Sequence, residues 1–398
     1  MTDKSSPAVS NESVSLIATT GFGLEAVVGR ELKSLGYEQQ TGRDGQIRFS
    51  ADAAAICRCN LWLRSAERVL LEMGTFEATD FGVLFDQTRA LPWERWLPKN
   101  ANFPVTGRSV KSQLHSVPDC QRLVKKAIVE RLKSVYGGDW LDESGPKYAV
   151  DVSLHNNEAT LTIDTSGDGL HKRGYRKLTA KAPLKETVAA ALVQLSVWNA
   201  ERPLVDPFCG SGTILIEAAM LALNQAPGLK RTFAGEAWPQ IDSKLWADAR
   251  EEARSLEKPG PQHVLIGNDL DSEVLSLARY HATQAGVDDL IHFQQQPFSS
   301  LKSHKQYGCL ITNPPWGERL GEQREVEQLY QSMFHVLQPL DTWSIFVLTA
   351  HPKFEALFGR DATRRRKLYN GKIAATYYQF LGPRPPRREN PQPMTNDE

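Results

Sequence analysis

Residues 204–219 read Leu-Val-Asp-Pro-Phe-Cys-Gly-Ser-Gly-Thr-Ile-Leu-Ile-Glu-Ala-Ala: a short apolar strand, a tight loop and the start of an apolar helix. Gly210 and Gly212 let the backbone turn sharply and approach a ligand closely. Ser211 and Thr213 add hydroxyls at the helix start. No Gly-Lys-Ser/Thr follows, so this is not a phosphate-binding loop, and the third glycine of the dinucleotide fingerprint is missing.

Working outward, apolar strands are predicted at 203–206, 264–269, 290–294, 308–312 and 343–349. Helical patterns fall between them at 212–225, 272–284 and 325–337. This alternation predicts a largely parallel, doubly wound sheet with helices on both faces, a Rossmann-like α/β fold. The second strand ends Gly267-Asn-Asp269-Leu-Asp271. A carboxylate there accepts bonds from ribose hydroxyls, and in such a sheet it lies beside the glycine loop. Together they make a nucleoside site without a phosphate clamp. S-adenosylmethionine (SAM), with ribose and adenine but no pyrophosphate, suits it.

The fourth strand runs into Asn313-Pro314-Pro315-Trp316. Two successive prolines remove two donors and stiffen the backbone, so their carbonyls are expected to point rigidly into the cleft. An amine on an aromatic ring is a poor nucleophile, because its lone pair is delocalised. Acceptors on its two hydrogens orient it and stabilise the charge that develops. The Asn313 side-chain oxygen and the Pro314 carbonyl supply them. Trp316 offers a stacking face for a flipped base. These four residues suit adenine in DNA as well as a base in RNA.

The N-terminal half is different in kind. Val14–Ala18 reads as a strand, 24–35 as a helix and Gln46–Ser50 as an exposed alternating strand. In a second α+β unit, helices are predicted at 51–63, 81–90 and 119–136, and Val105–Val110 reads as an edge strand. Strands at 148–154 and 159–164 pair across a turn at His155-Asn156-Asn157. Residues 108–133 hold seven basic and two acidic residues, and 360–389 nine basic and two acidic. Both stretches are able to meet phosphates.

The chain has 398 residues, a formal net charge of zero, 41% hydrophobic and 24% charged residues, and no apolar run of membrane-spanning length. Residues 1–13 lack the apolar core of a signal peptide and read as a disordered leader. The proline- and arginine-rich tail, 383–398, reads as disordered too. Five irregularly spaced cysteines fit a reducing cytoplasm. Cys57-x-Cys59 has no second pair and the nine histidines show no ligand spacing, so no metal is expected.

The Asp206–Thr213 loop and Asn313–Trp316 resemble the amino-methylating class I SAM methyltransferases. Lys172-Arg-Gly-Tyr-Arg176, Lys181-Ala-Pro-Leu-Lys-Glu-Thr187, Ala226-Pro-Gly-Leu229 and the Trp238/Trp246 segment bring the likeness closer, to the RlmL/YpsC-type rRNA guanine-N2 methyltransferases. The resemblance implies a ferredoxin-like part over 14–50, a THUMP RNA-binding domain over 51–166 and a methyltransferase domain over 167–382. It implies that Asp206, Pro207, Phe208, Gly210, Ser211, Gly212 and Thr213 surround the methionine part of SAM, with Lys185, Glu186 and Thr187 beside them. Asp269 would hold the ribose, Leu270 would lie by the adenine, and Gln296, Pro297 and Phe298 would close that end. Pro297 stands where many members carry an acid near the adenine amine. Asn313, Pro314, Pro315 and Trp316 would hold the base.

RNA contacts are expected from the basic helix and its approach (Lys111, Arg122, Lys125 and Lys126) and from the linker residues Arg173, Tyr175 and Arg176. The linker could equally close over the cofactor. The expected reaction is methyl transfer to the N2 amine of a guanine in large-subunit rRNA, in the cytoplasm. Related THUMP enzymes imply tRNA guanine as the alternative. A catalytically inactive RNA-binding assembly factor is a further reading, against which the intact Asn313–Trp316 run and glycine loop weigh.

Overall fold

The computed structural model describes residues 13–38, 41–138, 141–176, 184–317, 322–371 and 373–386. The leader apart from Ser13, the tail beyond Pro386, and Lys181–Pro183 of the quoted motif lie outside these residues.

The first half contains β1 (Val14–Thr20), α1 (Glu25–Ser34), β2 (Thr41–Arg43), β3 (Gln46–Ala51), α2 (Ala54–Trp62), β4 (Ala66–Glu77), α3 (Phe81–Ala90), β5 (Val105–Val110), α4 (Val117–Tyr136), β6 (Val150–His155) and β7 (Glu158–Asp164). The strands form one seven-stranded sheet, β2-β3-β1-β4-β7-β6-β5. The two α+β units read from the sequence therefore share one sheet. The strand joining them, β4, pairs with β1 on one side and β7 on the other. β5 lies at the edge, as expected. β3 is not an exposed strand: Ile47 and Phe49 alternate into the core while Gln46 and Arg48 face outward. At the β6–β7 turn, Asn156 and Asn157 take positive φ (52° and 66°), which asparagine tolerates.

The second half contains α5 (Glu186–Leu195), β8 (Leu204–Asp206), α6 (Thr213–Ala222), α7 (Ser243–Ser255), β9 (Leu265–Asp269), α8 (Ser272–Ala285), β10 (Ile291–Gln295), β11 (Cys309–Thr312), α9 (Glu322–Leu337), β12 (Ser344–Thr349), α10 (Phe354–Phe358), β13 (Arg364–Asn370) and β14 (Ile373–Phe380). Its sheet order is β10-β9-β8-β11-β12-β14-β13. The first five strands are parallel, and a hairpin adds β14 and β13 antiparallel. This is the mostly parallel, doubly wound sheet the sequence predicts, with β13–β14 as an unforeseen extension. From β8 the chain winds outward to β10, then returns to β11 on the other side of β8. That reversal opens a crevice at the carboxyl ends of β8 and β11, where α/β sheets bind ligands.

The halves interlock. Trp238 and Trp246, from the segment between β8 and β9, sit in the first half's core. Trp238 stacks on Tyr148 with ring centroids 4.6 Å apart and donates from Nε1 to the Lys147 carbonyl at 3.0 Å. Arg58 of α2 makes a two-pronged contact with Glu252 of α7, both bonds 2.8 Å. The five cysteines are buried and unpaired. No helix among the described residues is long and apolar enough to cross a membrane.

Candidate active site

β8 delivers Asp206 to the crevice floor, where it is 1% exposed. Its Oδ1 accepts from the Thr312 hydroxyl at 2.6 Å and from the Phe208 amide at 3.2 Å. Burial pushes its pKa up to about 7, helped by the nearby Asp269 charge, while these two bonds pull it down.

The loop turns back over β9. The Cys209 amide donates to the Asn268 carbonyl at 2.9 Å, and the Gly210 amide to Asp269 Oδ2 at 2.9 Å. Gly212 takes φ +80°. A Cβ there would lie 2.8 Å from the Phe293 ring, so glycine is required for space as well as for conformation. A Cβ on Gly210 would meet nothing within 4 Å, so the loop opens on free space.

Asp269 braces the loop: Oδ2 holds Gly210 and Oδ1 the Asp271 amide at 3.1 Å. A carboxylate offers about four lone-pair sites, so acceptor capacity remains for ribose hydroxyls. Leu270 beside it is 68% exposed, an apolar surface left bare at the rim. Phe208 and Phe298 lie ring to ring at 5.1 Å, and Pro297 is exposed between β10 and Phe298. The Gln296 side chain turns away to Ser300, its Nε2 donating to Ser300 O and Oγ at 3.0 Å. Its backbone amide donates to the Asp269 carbonyl at 3.1 Å.

The bare space over Gly210, the buried Asp206 carboxylate and the exposed Leu270 suit the methionine, ammonium and adenine parts of SAM. Among the described residues no His/Cys/Asp/Glu cluster could hold a metal ion.

β11 carries Asn313–Trp316 to the same crevice. Asn313 Oδ1 is closed off from solvent and has no hydrogen-bond partner among the described residues. A buried amide oxygen without a partner is costly, and functional sites are where such costs are tolerated. The Pro315 carbonyl corrects the expectation that both proline carbonyls face the cleft. It accepts from the Tyr330 hydroxyl of α9 at 2.6 Å, and that hydroxyl also bonds Thr349 Oγ1 at 2.9 Å. Trp316 is half-buried, its Nε1 donating to the Leu348 carbonyl at 3.3 Å. Nothing in the sequence pointed to Tyr330; only α9 packing against β12 brings it to the loop.

Several expected contacts fall elsewhere. Arg173 and Tyr175 are buried, 3% and 2% exposed, and do not reach an RNA surface. Arg173 meets Glu217 of α6 at 3.4 Å and donates to the Leu170 carbonyl, and the Tyr175 hydroxyl donates to Glu217 at 3.1 Å. Arg176 lies against the glycine loop: it donates to Thr213 Oγ1 and to the Leu184 carbonyl, and pairs with Glu186 at 3.3 Å. Of the three linker residues only Arg176 lies beside the glycine loop; Arg173 and Tyr175 pack against Glu217.

Thr187 and Lys185 turn their polar groups to Glu67 of β4, at 2.9 and 3.2 Å, and His171 Nδ1 joins them at 3.2 Å. Burial raises the Glu67 pKa, but the His171 bond, the Lys185 charge and the Thr187 bond outweigh it and bring it down to about 2. Glu67 thus ties the first sheet to the start of α5.

On α4, Arg122 pairs with Asp119. Lys125 pairs with Glu143 at 2.6 Å and lies over the Phe103 ring at 3.6 Å. Lys126 is exposed, 4.0 Å from Glu130. Lys111 is exposed on the approach to the helix.

Known proteins share this chain's domains and fold. The family profile of the RMKL-like methyltransferase domain matches residues 173–379. Profiles of the RlmL ferredoxin-like domain and the THUMP domain match 15–70 and 78–164. The chain is 48% identical over 376 residues to the putative RNA methyltransferase YpsC of Bacillus subtilis, covering 94% of this chain and 97% of the relative. It is 33% identical over 380 residues to the ribosomal RNA large subunit methyltransferase K/L of Syntrophotalea carbinolica, covering 92% of this chain and 53% of that protein. Two solved structures each superpose with a TM-score of 0.89 over 94% of this chain. One, described as a predicted N6-adenine-specific DNA methylase from Listeria monocytogenes, shares 48% identity over 97% of its length. The other, a putative methyltransferase complexed with S-adenosylhomocysteine (SAH), shares 42% over its whole length.

Proposed function

Because the chain belongs to the RMKL-like family, as a SAM-dependent RNA methyltransferase of the RlmK/L type, we propose that it methylates the exocyclic N2 amine of a guanine in large-subunit rRNA. The observation that carries this reading is the buried, unpartnered Asn313 Oδ1 on the strand pinned to the glycine loop through Thr312 and Asp206. An acceptor held without a partner is preorganised for a donor that arrives with the substrate, and an exocyclic amine is such a donor.

SAM supplies an electrophilic methyl group on a sulfonium. Asp206, Phe208 and the Gly210–Thr213 turn hold its methionine part, and Asp269 and Leu270 its nucleoside. Asn313 Oδ1 accepts one amine hydrogen and the Pro314 carbonyl the other, which aims the nitrogen and stabilises positive charge developing on it. The Trp316 ring stacks on the extruded base, held at its edge by the Leu348 carbonyl. The methylated nitrogen, cationic after transfer and so most acidic, gives its proton to water, and no strong base is needed.

The same four residues would serve adenine, and the Listeria relative's description names that base. The THUMP match favours RNA. The large subunit follows the name of the K/L relative, of which this chain spans about half; guanine follows the resemblance of the quoted motifs to the RlmL/YpsC-type enzymes. Modified nucleosides from rRNA, tRNA and DNA are to be compared with and without the gene. Loss of N2-methylguanosine from large-subunit rRNA is expected. Its loss from tRNA, or loss of N6-methyladenine from DNA, would replace the proposed substrate.

A further inference from the structure

We propose that the RNA reaches the active site as an unpaired strand, along a seam between the first sheet's outer face and the β13–β14 hairpin. This rests on the reading of RNA as substrate.

Three observations meet at this seam. The first is a groove of about 990 Å³ on the sheet face opposite α4. Residues of β1, β2 and β3 line one side and of β5, β6 and β7 the other, so the sheet curls around it. The second is Phe22 at the groove's end, 54% exposed between two glycines and edge-on to Tyr369 of β13, 6.0 Å away. An exposed ring costs solubility unless something stacks on it, and nucleobases stack on aromatic rings whatever their sequence.

The third is charge and its place in the sheet. Arg364, Arg365, Arg366 and Lys367 follow one another along β13, all exposed. Arg365 is held by Glu355 at 2.6 Å and Asp361 at 3.6 Å. Arg364, Arg366 and Lys367 have no carboxylate partner among the described residues, and Lys367 lies near the Tyr369 ring, at 5.6 Å. Thr312, Val347, Tyr378 and Arg365 pair in one row across β11, β12, β14 and β13. Arg366 and Lys367 therefore fall in the rows of Asn313 and Pro314. Three strand spacings separate them, about 14 Å.

Cations level with the base site, with an aromatic step and a groove behind them, fit a strand whose target base is turned into the crevice. Within the groove Arg108 adds charge, while Asp44 and Glu158 oppose it and Arg48 is paired with Glu72 at 3.2 Å. The phosphate attraction thus comes mainly from the hairpin. Charges on an edge strand also deter sheet-to-sheet aggregation, and that role alone would need neither Phe22 nor the groove.

Full-length protein would be titrated with a short labelled oligouridine and with its duplex of equal length, across a range of salt. The single strand is expected to bind more tightly. Phe22→Ala should weaken it by about 5- to 100-fold. Arg364→Glu with Arg366→Glu should lower the slope of log K against log salt by about 0.7 per lost contact. Arg122→Glu with Lys126→Glu tests α4, on the opposite face of the sheet, as the rival RNA surface, and Arg254→Glu with Lys258→Glu, at the end of α7, should leave both readouts unchanged. All these residues are exposed, so melting temperature and SAM binding should match the parent. Wild-type protein that binds the strand while the Phe22 and hairpin variants bind it equally, or that loses binding only on the α4 reversal, overturns the seam. If wild-type protein binds neither RNA form and transfers no methyl group to rRNA, the RNA reading falls with it.

Discussion

Thr312 donates its hydroxyl to the Asp206 carboxylate at 2.6 Å, joining the strand that carries Asn313 to the strand that carries the glycine loop. Both groups are buried, at 0% and 1% exposure, so the bond is shielded from water. The glycine loop and the Asn313–Trp316 run are therefore set against each other by a contact inside the sheet.

That contact has a pH consequence. The folded Asp206 pKa, about 7, lies above its ordinary 3.8. Its contribution to stability is therefore fully present below about pH 4 and is lost as the pH rises through 7. Without SAM, Asp206→Asn should gain on the parent in melting temperature between pH 5 and 8. The ammonium of SAM favours the ionised carboxylate, so SAM binding should tighten over pH 6–8 and release a proton. Calorimetry in two buffers of different ionisation enthalpy measures that release; none at pH 6.5 would remove Asp206 from the ammonium site.

Asn313→Ala removes the unpartnered amide oxygen. The kcat should fall by about 10²-fold or more, as when an oriented charge-stabilising group is deleted. SAM binding should stay close to the parent's, because Asp206 and the glycine loop are untouched. Surviving methyl transfer to rRNA would disprove the role given to this side chain.

Tyr330 positions the loop through the Pro315 carbonyl. Burial lifts its pKa to about 12, so it donates at any working pH. Tyr330→Phe keeps the ring against Phe354 and His351 but leaves that carbonyl without its bond. We expect kcat to fall by about 10-fold, the cost of one misplaced bond at roughly 1.4 kcal/mol. KM for RNA and SAM affinity should hold. A purely structural role would show the reverse: a lowered melting temperature and an unchanged kcat.

The two loop glycines should separate in their response to alanine. At Gly212 a methyl would meet Phe293 at 2.8 Å and Ala278 at 3.2 Å, in a left-handed conformation. At Gly210, φ +50°, only the conformation is penalised, by about 1–2 kcal/mol. Gly212→Ala should therefore lower the melting temperature more. Gly210→Ala should act chiefly on SAM affinity, since its methyl enters the open space above the loop. Equal melting temperatures for the two variants would contradict the packing argument.

The parts legible in the sequence were those whose neighbours in space are neighbours in the chain. The 204–219 loop, the alternation over 203–349 and the Asn313–Trp316 run carry their own structural signals. β4 was missed because Val69, Leu70 and Leu71 at its middle are buried in succession, which erases the alternation that betrays a half-buried strand. β13 hid behind its charges: four consecutive cations look like a solvated patch, yet this is an edge strand. The linker 171–176 misled for a related reason. A basic, aromatic run looks the same whether it meets phosphates or a buried carboxylate. Glu217, which claims Arg173 and Tyr175, is more than forty residues away on α6.

Trp238 and Trp246 belong in sequence to the catalytic half and in space to the core of the other. Neither half is thus a removable cassette. A chain cut after residue 166 would leave the first sheet without the ring that stacks on Tyr148. The catalytic piece would carry two bare indoles and a Lys185–Thr187 segment cut off from Glu67. Grafting this methylase onto another RNA-binding module would require rebuilding that shared interior as well as the linker.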